Sequence, residues 1–164
     1  MRFKDLVYYK KDAHLRFVDL ENLQDCDLLA FESAICDICL LDPQEKALNN
    51  KRRLVARGFG VIGNPKLYAL CMSGQLNEYN IGADGRKLQK SDSNWSFVNT
   101  SGKHTVTAMA VATYFIAVAE QSTEYTTKGT YKGNSRRVKI YRKRNETLIS
   151  SHDQDPIGIS MCNV

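Results

Sequence analysis

The chain has 164 residues, 43% hydrophobic and 25% charged, with a formal net charge of +5. A domain of this length buries roughly 70% of its unfolded surface, and the composition sits near the averages of soluble globular proteins. The longest uncharged apolar stretch, 108–119, falls far short of the roughly 20 residues of a membrane-spanning helix, so no membrane partner is expected. The opening MRFKDLVYYKK lacks the apolar core and small-residue cleavage site of a secretory leader. Five cysteines are an odd count, and reduced thiols in a cytoplasmic location are expected.

Residues 1–14 read as a lead-in. LRFVDL at 15–20 reads as a strand, with an outer strand after it at 26–31. ICDICLL at 35–41 reads as an inner apolar strand. Its Cys36 and Cys39 have the spacing of a zinc or redox pair, but residues three apart on a strand point to opposite faces. No histidine or second Cys-x-x-Cys stands nearby to complete a ligand set, and free cysteine is among the most buried residue types. Core packing is expected for both, with no metal or other cofactor implied.

An insert at 42–65 follows, in which 43–48 offer the start of a short helix and 53–57 an extra strand. Gly58, Gly60 and Gly63 have dinucleotide-loop spacing, but Asn64-Pro65 and a strand follow where that chemistry needs a helix N-terminus. KLYALCM at 66–72 reads as a central strand, Ser73-Gly74 as a turn, and QLNEYNI at 75–81 as a third strand. The second half repeats the order: VTAMAV (106–111) inner, FIAVA (115–119) central, a polar loop at 121–136, VKIY (138–141) third, 146–150 outer. Residues 157–162 read as the start of another inner strand. Ile116 and Val118 are expected in the core. Val138 and Ile140 are expected to face it while Arg137 and Lys139 point away.

Inner, central and third strands, the third closing on Tyr79-Asn80 and again on Tyr141-Arg142, follow the strand order of a β-propeller blade. Ala108, Ala110 and Ala112 suit an inner strand crowded near an axis. The tally is all-β: two whole blades and parts of two more, an incomplete ring. A sandwich or small barrel also has short strands at such spacing. Repetition of the copies in strand order and character favours the propeller.

VTAMAVATYFIAVAE followed by VKIYRKRNETL resembles the repeats of WD-repeat proteins, most of all large cilia- and flagella-associated members. The resemblance is good over 105–150 and loose over 35–81. Neither copy has a true Trp-Asp pair, and His104 precedes its strand without the Gly-His dipeptide of standard repeats. The resemblance implies a WD40-like β-propeller segment at 15–164 without catalytic activity. Its implied role is a scaffold for protein–protein interaction in a large assembly, such as an axonemal microtubule complex of a cilium or flagellum.

No nucleophile context surrounds the hydroxyl residues, and His14, His104 and His152 are far apart in sequence, so an enzyme is not expected. Charge says more. Lys128, Lys132, Arg136, Arg137, Lys139, Arg142, Lys143 and Arg144 follow one another without an acid between them. These eight outnumber the net charge of the whole chain, so the remainder is acidic overall. Three readings stand: a solvated strand face, a docking surface for an acidic protein, or, with Tyr125 and Tyr131 beside it, an RNA-binding segment of a ribonucleoprotein.

Overall fold

The computed structural model describes residues 1–42, 64–97, 104–125, 128–129, 131–143 and 147–153. Among them are twelve strands and no helix, arranged as three four-stranded antiparallel sheets, each a meander in chain order. The first holds β1 (Arg2–Phe3), β2 (Leu6–Lys11), β3 (His14–Asp19) and β4 (Gln24–Ala30). The second holds β5 (Ile35–Leu41), β6 (Lys66–Cys71), β7 (Gln75–Ile81) and β8 (Leu88–Ser96). The third holds β9 (His104–Val111), β10 (Phe115–Tyr125), β11 (Tyr131–Arg142) and β12 (Thr147–Asp153). The expected strands at 15–20, 26–31, 35–41, 66–72, 75–81, 106–111, 115–119, 138–141 and 146–150 are present with shifted ends, and β8 is one that the sequence did not lead us to expect. Those expected at 53–57 and 157–162, the helix start at 43–48, and most of the 42–65 insert lie outside the described residues.

Two expectations are corrected. The lead-in at 1–14 carries β1 and β2, where Leu6 and Tyr8 are buried and Val7 and Tyr9 are not, the period-2 pattern of a half-buried strand. The polar stretch 121–136 is a ladder rather than a loop over most of its length. Gln121 pairs with Arg136, Ser122 with Ser135, Thr123 with Asn134 and Glu124 with Gly133. A hairpin that extends past the core can be polar on both faces, so no apolar alternation marks it in the sequence.

Packing makes the second sheet the centre of the molecule. One of its faces, with Ile38, Leu67, Ala69, Tyr79 and Ile81, joins Phe3, Leu6, Tyr8, Leu15 and Phe17 of the first sheet in one core. Its other face, with Leu41, Tyr68, Leu70, Leu76 and Trp95, joins Val106, Met109, Val111, Ile116 and Val118 of the third in another. Burial on both sides is why β6 reads as an unbroken apolar run: Leu67 through Cys71 are all buried.

The second and third sheets approach most along their first strands, β5 and β9. Small residues sit near that line and aromatics fill the gap farther out. Phe97, just past β8, lies 4.9 Å from Tyr141 of β11, and Trp95 lies 6.5 Å from the same ring. The first seam repeats the device: Phe31, just past β4, meets Tyr79 of β7 edge-on at 6.2 Å. Each of the two phenylalanines is tied back by its own amide, Phe31 to the Ala13 carbonyl and Phe97 to the Gly74 carbonyl, both at 2.8 Å. The first seam is also strapped by the β7–β8 turn. Tyr8 Oη donates to the Gly85 carbonyl at 2.6 Å, and Arg86 pairs with the buried Asp19. Gly85 has φ of 78°, and a Cβ there would meet Leu6 Cδ1 at 2.8 Å, so only glycine fits this crossing.

Ile116 and Val118 are fully buried, as the apolar run of β10 leads one to expect. Replacing Ile116 by Ala should lower unfolding free energy by about 2–5 kcal/mol in a denaturant titration, a cavity cost. Tyr114→Ala, at a site 71% exposed, should change it by no more than about 0.5 kcal/mol.

Candidate functional site

The basic segment does not form one surface. Lys128 is exposed in the β10–β11 turn, and Arg136 and Arg142 are exposed on β11. Lys132 lies on β11 with its side chain outside what is described, and Arg144 lies outside the described residues. Arg137 and Lys139, expected to point away from the packing, point into it. Arg137 Nε donates to Glu120 Oε2 at 2.9 Å, and Lys139 Nζ lies 3.0 Å from Oε1 at an angle that makes no hydrogen bond. Glu120 is 1% exposed, and a carboxylate so buried must be met by countercharge. The register agrees: Lys139 stands opposite Val118 and Arg137 opposite Glu120, whereas Val138 and Ile140 stand opposite Ala119 and Ala117 on the far face. Alternation in the sequence gives the period of β11. It does not tell which face is inside until the burial of Glu120 is known.

Lys143 also turns inward, at the mouth of the seam between the second and third sheets. Its Nζ donates to Tyr68 Oη at 2.6 Å, approaches the Ala112 carbonyl at 3.4 Å and sits 4.7 Å from the centre of the Tyr68 ring. The Tyr68 hydroxyl interacts in turn with Glu78, its cross-strand neighbour, and Glu78 is ion-paired to Lys66. A relay of polar groups, Lys66, Glu78, Tyr68 and Lys143, thus closes the outer end of an otherwise apolar seam. Burial pushes the Lys143 ammonium down to about 8; neighbouring Lys66 adds to the shift and Glu78 opposes it. Burial, then the Glu78 carboxylate, pushes the Tyr68 phenol far up, so it stays a neutral donor.

Beside this relay opens a cleft of about 630 Å³, lined by Lys66, Glu78, Trp95, Thr113, Tyr114, Phe115, Arg142 and Lys143. Three cations against one carboxylate, with three aromatic rings, make a site suited to an anionic group attached to an apolar one. Sequence reasoning found Arg142 and Lys143 as part of a charge run. It missed Lys66, Glu78, Trp95 and Tyr114, which come from other strands and turns. Trp95 alone carried a signal, as the single tryptophan of the chain standing in a polar segment.

Cys36 and Cys39 pack against the core between the second and third sheets, both on the same side. A bulge after Ile35 adds a residue to β5 and defeats the opposite-face expectation. Cys36 Sγ reaches the Leu70 carbonyl at 3.2 Å, and burial pushes its thiol up to about 11, away from thiolate chemistry. Among the described residues no group of three His, Cys, Asp or Glu side chains is placed to hold a metal ion, and no helix is long and apolar enough to cross a membrane.

No protein-family model matches the chain, and no curated protein matches it.

The Lys143 ammonium titrates lower when folded than when unfolded, so between about pH 8 and its ordinary value near 10.5 the unfolded chain binds more protons, and stability rises with pH. Lys143→Met, which carries no charge into the seam, should therefore exceed the parent in thermal midpoint at pH 7. That advantage should shrink steadily by pH 10. An unchanged difference across the range would place the ammonium in water.

Proposed function

We propose that the chain is a non-catalytic scaffold segment of WD-repeat type, its three sheets consecutive blades of a β-propeller that docks protein partners through basic residues around the second seam. The observation that carries the reading is structural repetition. Aligning Tyr141 with Tyr79 aligns Ala117, Ala119, Val138 and Ile140 with Tyr68, Leu70, Leu76 and Glu78, the face on which the third sheet sits. By that equivalence the far face of the third sheet receives a fourth. The second seam, tight at the first strands β5 and β9 and filled by aromatics outside, suits sheets fanned about an axis better than a flat sandwich. The resemblance to cilia- and flagella-associated WD-repeat proteins suggests an axonemal or other microtubule-bound assembly, whose surfaces are acidic.

A ribonucleoprotein role through the same basic residues is the second reading, favoured only by the exposure of Tyr114 beside Arg142. Among the cleft's rings Tyr114 is exposed and Trp95 is buried, so a single face is open where a run of bases needs successive stacking platforms. Fluorescence anisotropy with labelled polyglutamate and with labelled oligouridylate separates the two. Polyglutamate should bind, and Lys128→Glu/Arg136→Glu should weaken it roughly tenfold with an unchanged thermal transition, since exposed charges govern encounter more than stability. Binding of oligouridylate but not polyglutamate would replace the scaffold reading with the RNA one.

A further inference from the structure

The cleft at the outer end of the second seam is built differently from the first seam. There, the β7–β8 turn folds over the gap and Arg86 closes it on Asp19. At the second seam the gap stays open beside Trp95, and the lining cations are not equally engaged: Lys66 is held by Glu78, Lys143 is held by a neutral phenol, and Arg142 is exposed at the rim. Lys143 therefore sits half-buried with its nearest carboxylate already paired to another lysine. Tyr114, 71% exposed in the β9–β10 turn, stands over the same opening, and Phe115 adds a second ring.

We propose that this cleft takes an acidic segment of a protein partner, one carboxylate meeting Arg142 and Lys143 and the adjoining apolar side chain resting against Tyr114 and Phe115, with Trp95 in the wall behind. The proposal rests on the scaffold reading only in taking the partner to be a protein. Charge complementarity selects the occupant: three cations against one carboxylate leave the lining net positive. A carboxylate beside Lys143 supplies the countercharge that its burial leaves wanting. The groups facing Lys143 are Tyr68 and Lys66 from β6, Glu78 from β7 and Cys39 from β5. Of these only Glu78 favours the ammonium strongly, and it is shared with Lys66.

The chain carries one tryptophan, so its emission reports on this cleft alone. The probe is a capped peptide in which glutamates flank one leucine, titrated into the full chain by fluorescence and by calorimetry in buffers of different ionisation enthalpy. Binding should shift Trp95 emission, and at pH 8 it should take up to about half a proton from the buffer as Lys143 becomes fully charged. At pH 6.5, where the ammonium is already protonated, uptake should be close to nil. Arg142→Ala and Tyr114→Ala, both at exposed positions, should each weaken the peptide roughly tenfold and leave the thermal transition in place. The glutamine version of the peptide should not bind.

Peptide binding without a Trp95 response or proton uptake overturns the cleft as the site. If Lys128→Glu/Arg136→Glu alone abolishes that binding, the scaffold reading survives without it. Equal binding of oligouridylate, with the same emission shift, overturns the choice of a protein partner.

Discussion

A four-stranded meander has two faces and two edges, and none of these three sheets carries a core of its own. The second sheet resolves the constraint by burying both faces, one against each neighbour. The tie that fixes how the second and third sheets meet is polar. Asp37 on β5 uses one oxygen for the Ile38 amide at 2.9 Å and the other for the Met109 amide of β9 at 2.8 Å. β9 has a ladder partner on one side only, so its outward amides need acceptors from elsewhere. A carboxylate from the facing edge supplies one, and it sets the height at which Val106, Met109 and Val111 enter the shared core. The aromatic wedge of Trp95, Phe97 and Tyr141 and the Lys143 relay lie where the gap widens from this line.

The buried charges follow from the same geometry. Where the third sheet extends past the apolar part of the seam, its inward face carries Glu120, Arg137 and Lys139 instead of hydrophobic residues, and the three neutralise one another in large part. Removing both cations would leave a carboxylate stranded at 1% exposure, a costlier change than losing a solvated pair. The run of basic residues is thus divided in use. Arg137 and Lys139 serve the fold, Lys143 closes a seam, and Lys128, Arg136 and Arg142 are presented outward. Arg136, though exposed, has an interaction of its own. The docking reading therefore leans most on Lys128 and Arg142.

Much of this was legible in the residues. Apolar runs and alternation located β5, β6 and β7 of the second sheet and the four strands of the third, and the equivalence of Tyr79 and Tyr141 holds at the level of contacts, since each meets a phenylalanine one residue past the preceding sheet. What stayed hidden has physical reasons. β8, LQKSDSNWS, is an outer strand whose two large apolar residues, Leu88 and Trp95, stand at opposite ends of a polar run, so it carries no period. β10 and β11 run on as a ladder of mostly polar residues, which erases the apolar alternation by which strands are recognised. Arg137 and Lys139 were expected to point to solvent because burial of hydrophobic residues is the usual guide, and here a buried glutamate draws both basic residues in. The cleft was invisible because its lining comes from Lys66, Glu78, Trp95, Tyr114 and Lys143, which are distant in sequence and converge only when two sheets meet.

The arrangement of the second and third sheets as stacked, edge-tied units is what every functional statement depends on. Amide hydrogen exchange at Met109, read by NMR in the parent chain and in Asp37→Ala, tests it most directly. The Met109 amide should be protected in the parent and exchange far faster in the variant, while Val118 in the centre of the same sheet keeps its protection. A Met109 amide that exchanges at a solvent-exposed rate in the parent chain would mean that the edge of β9 is open, and would contradict the seam on which this account is built.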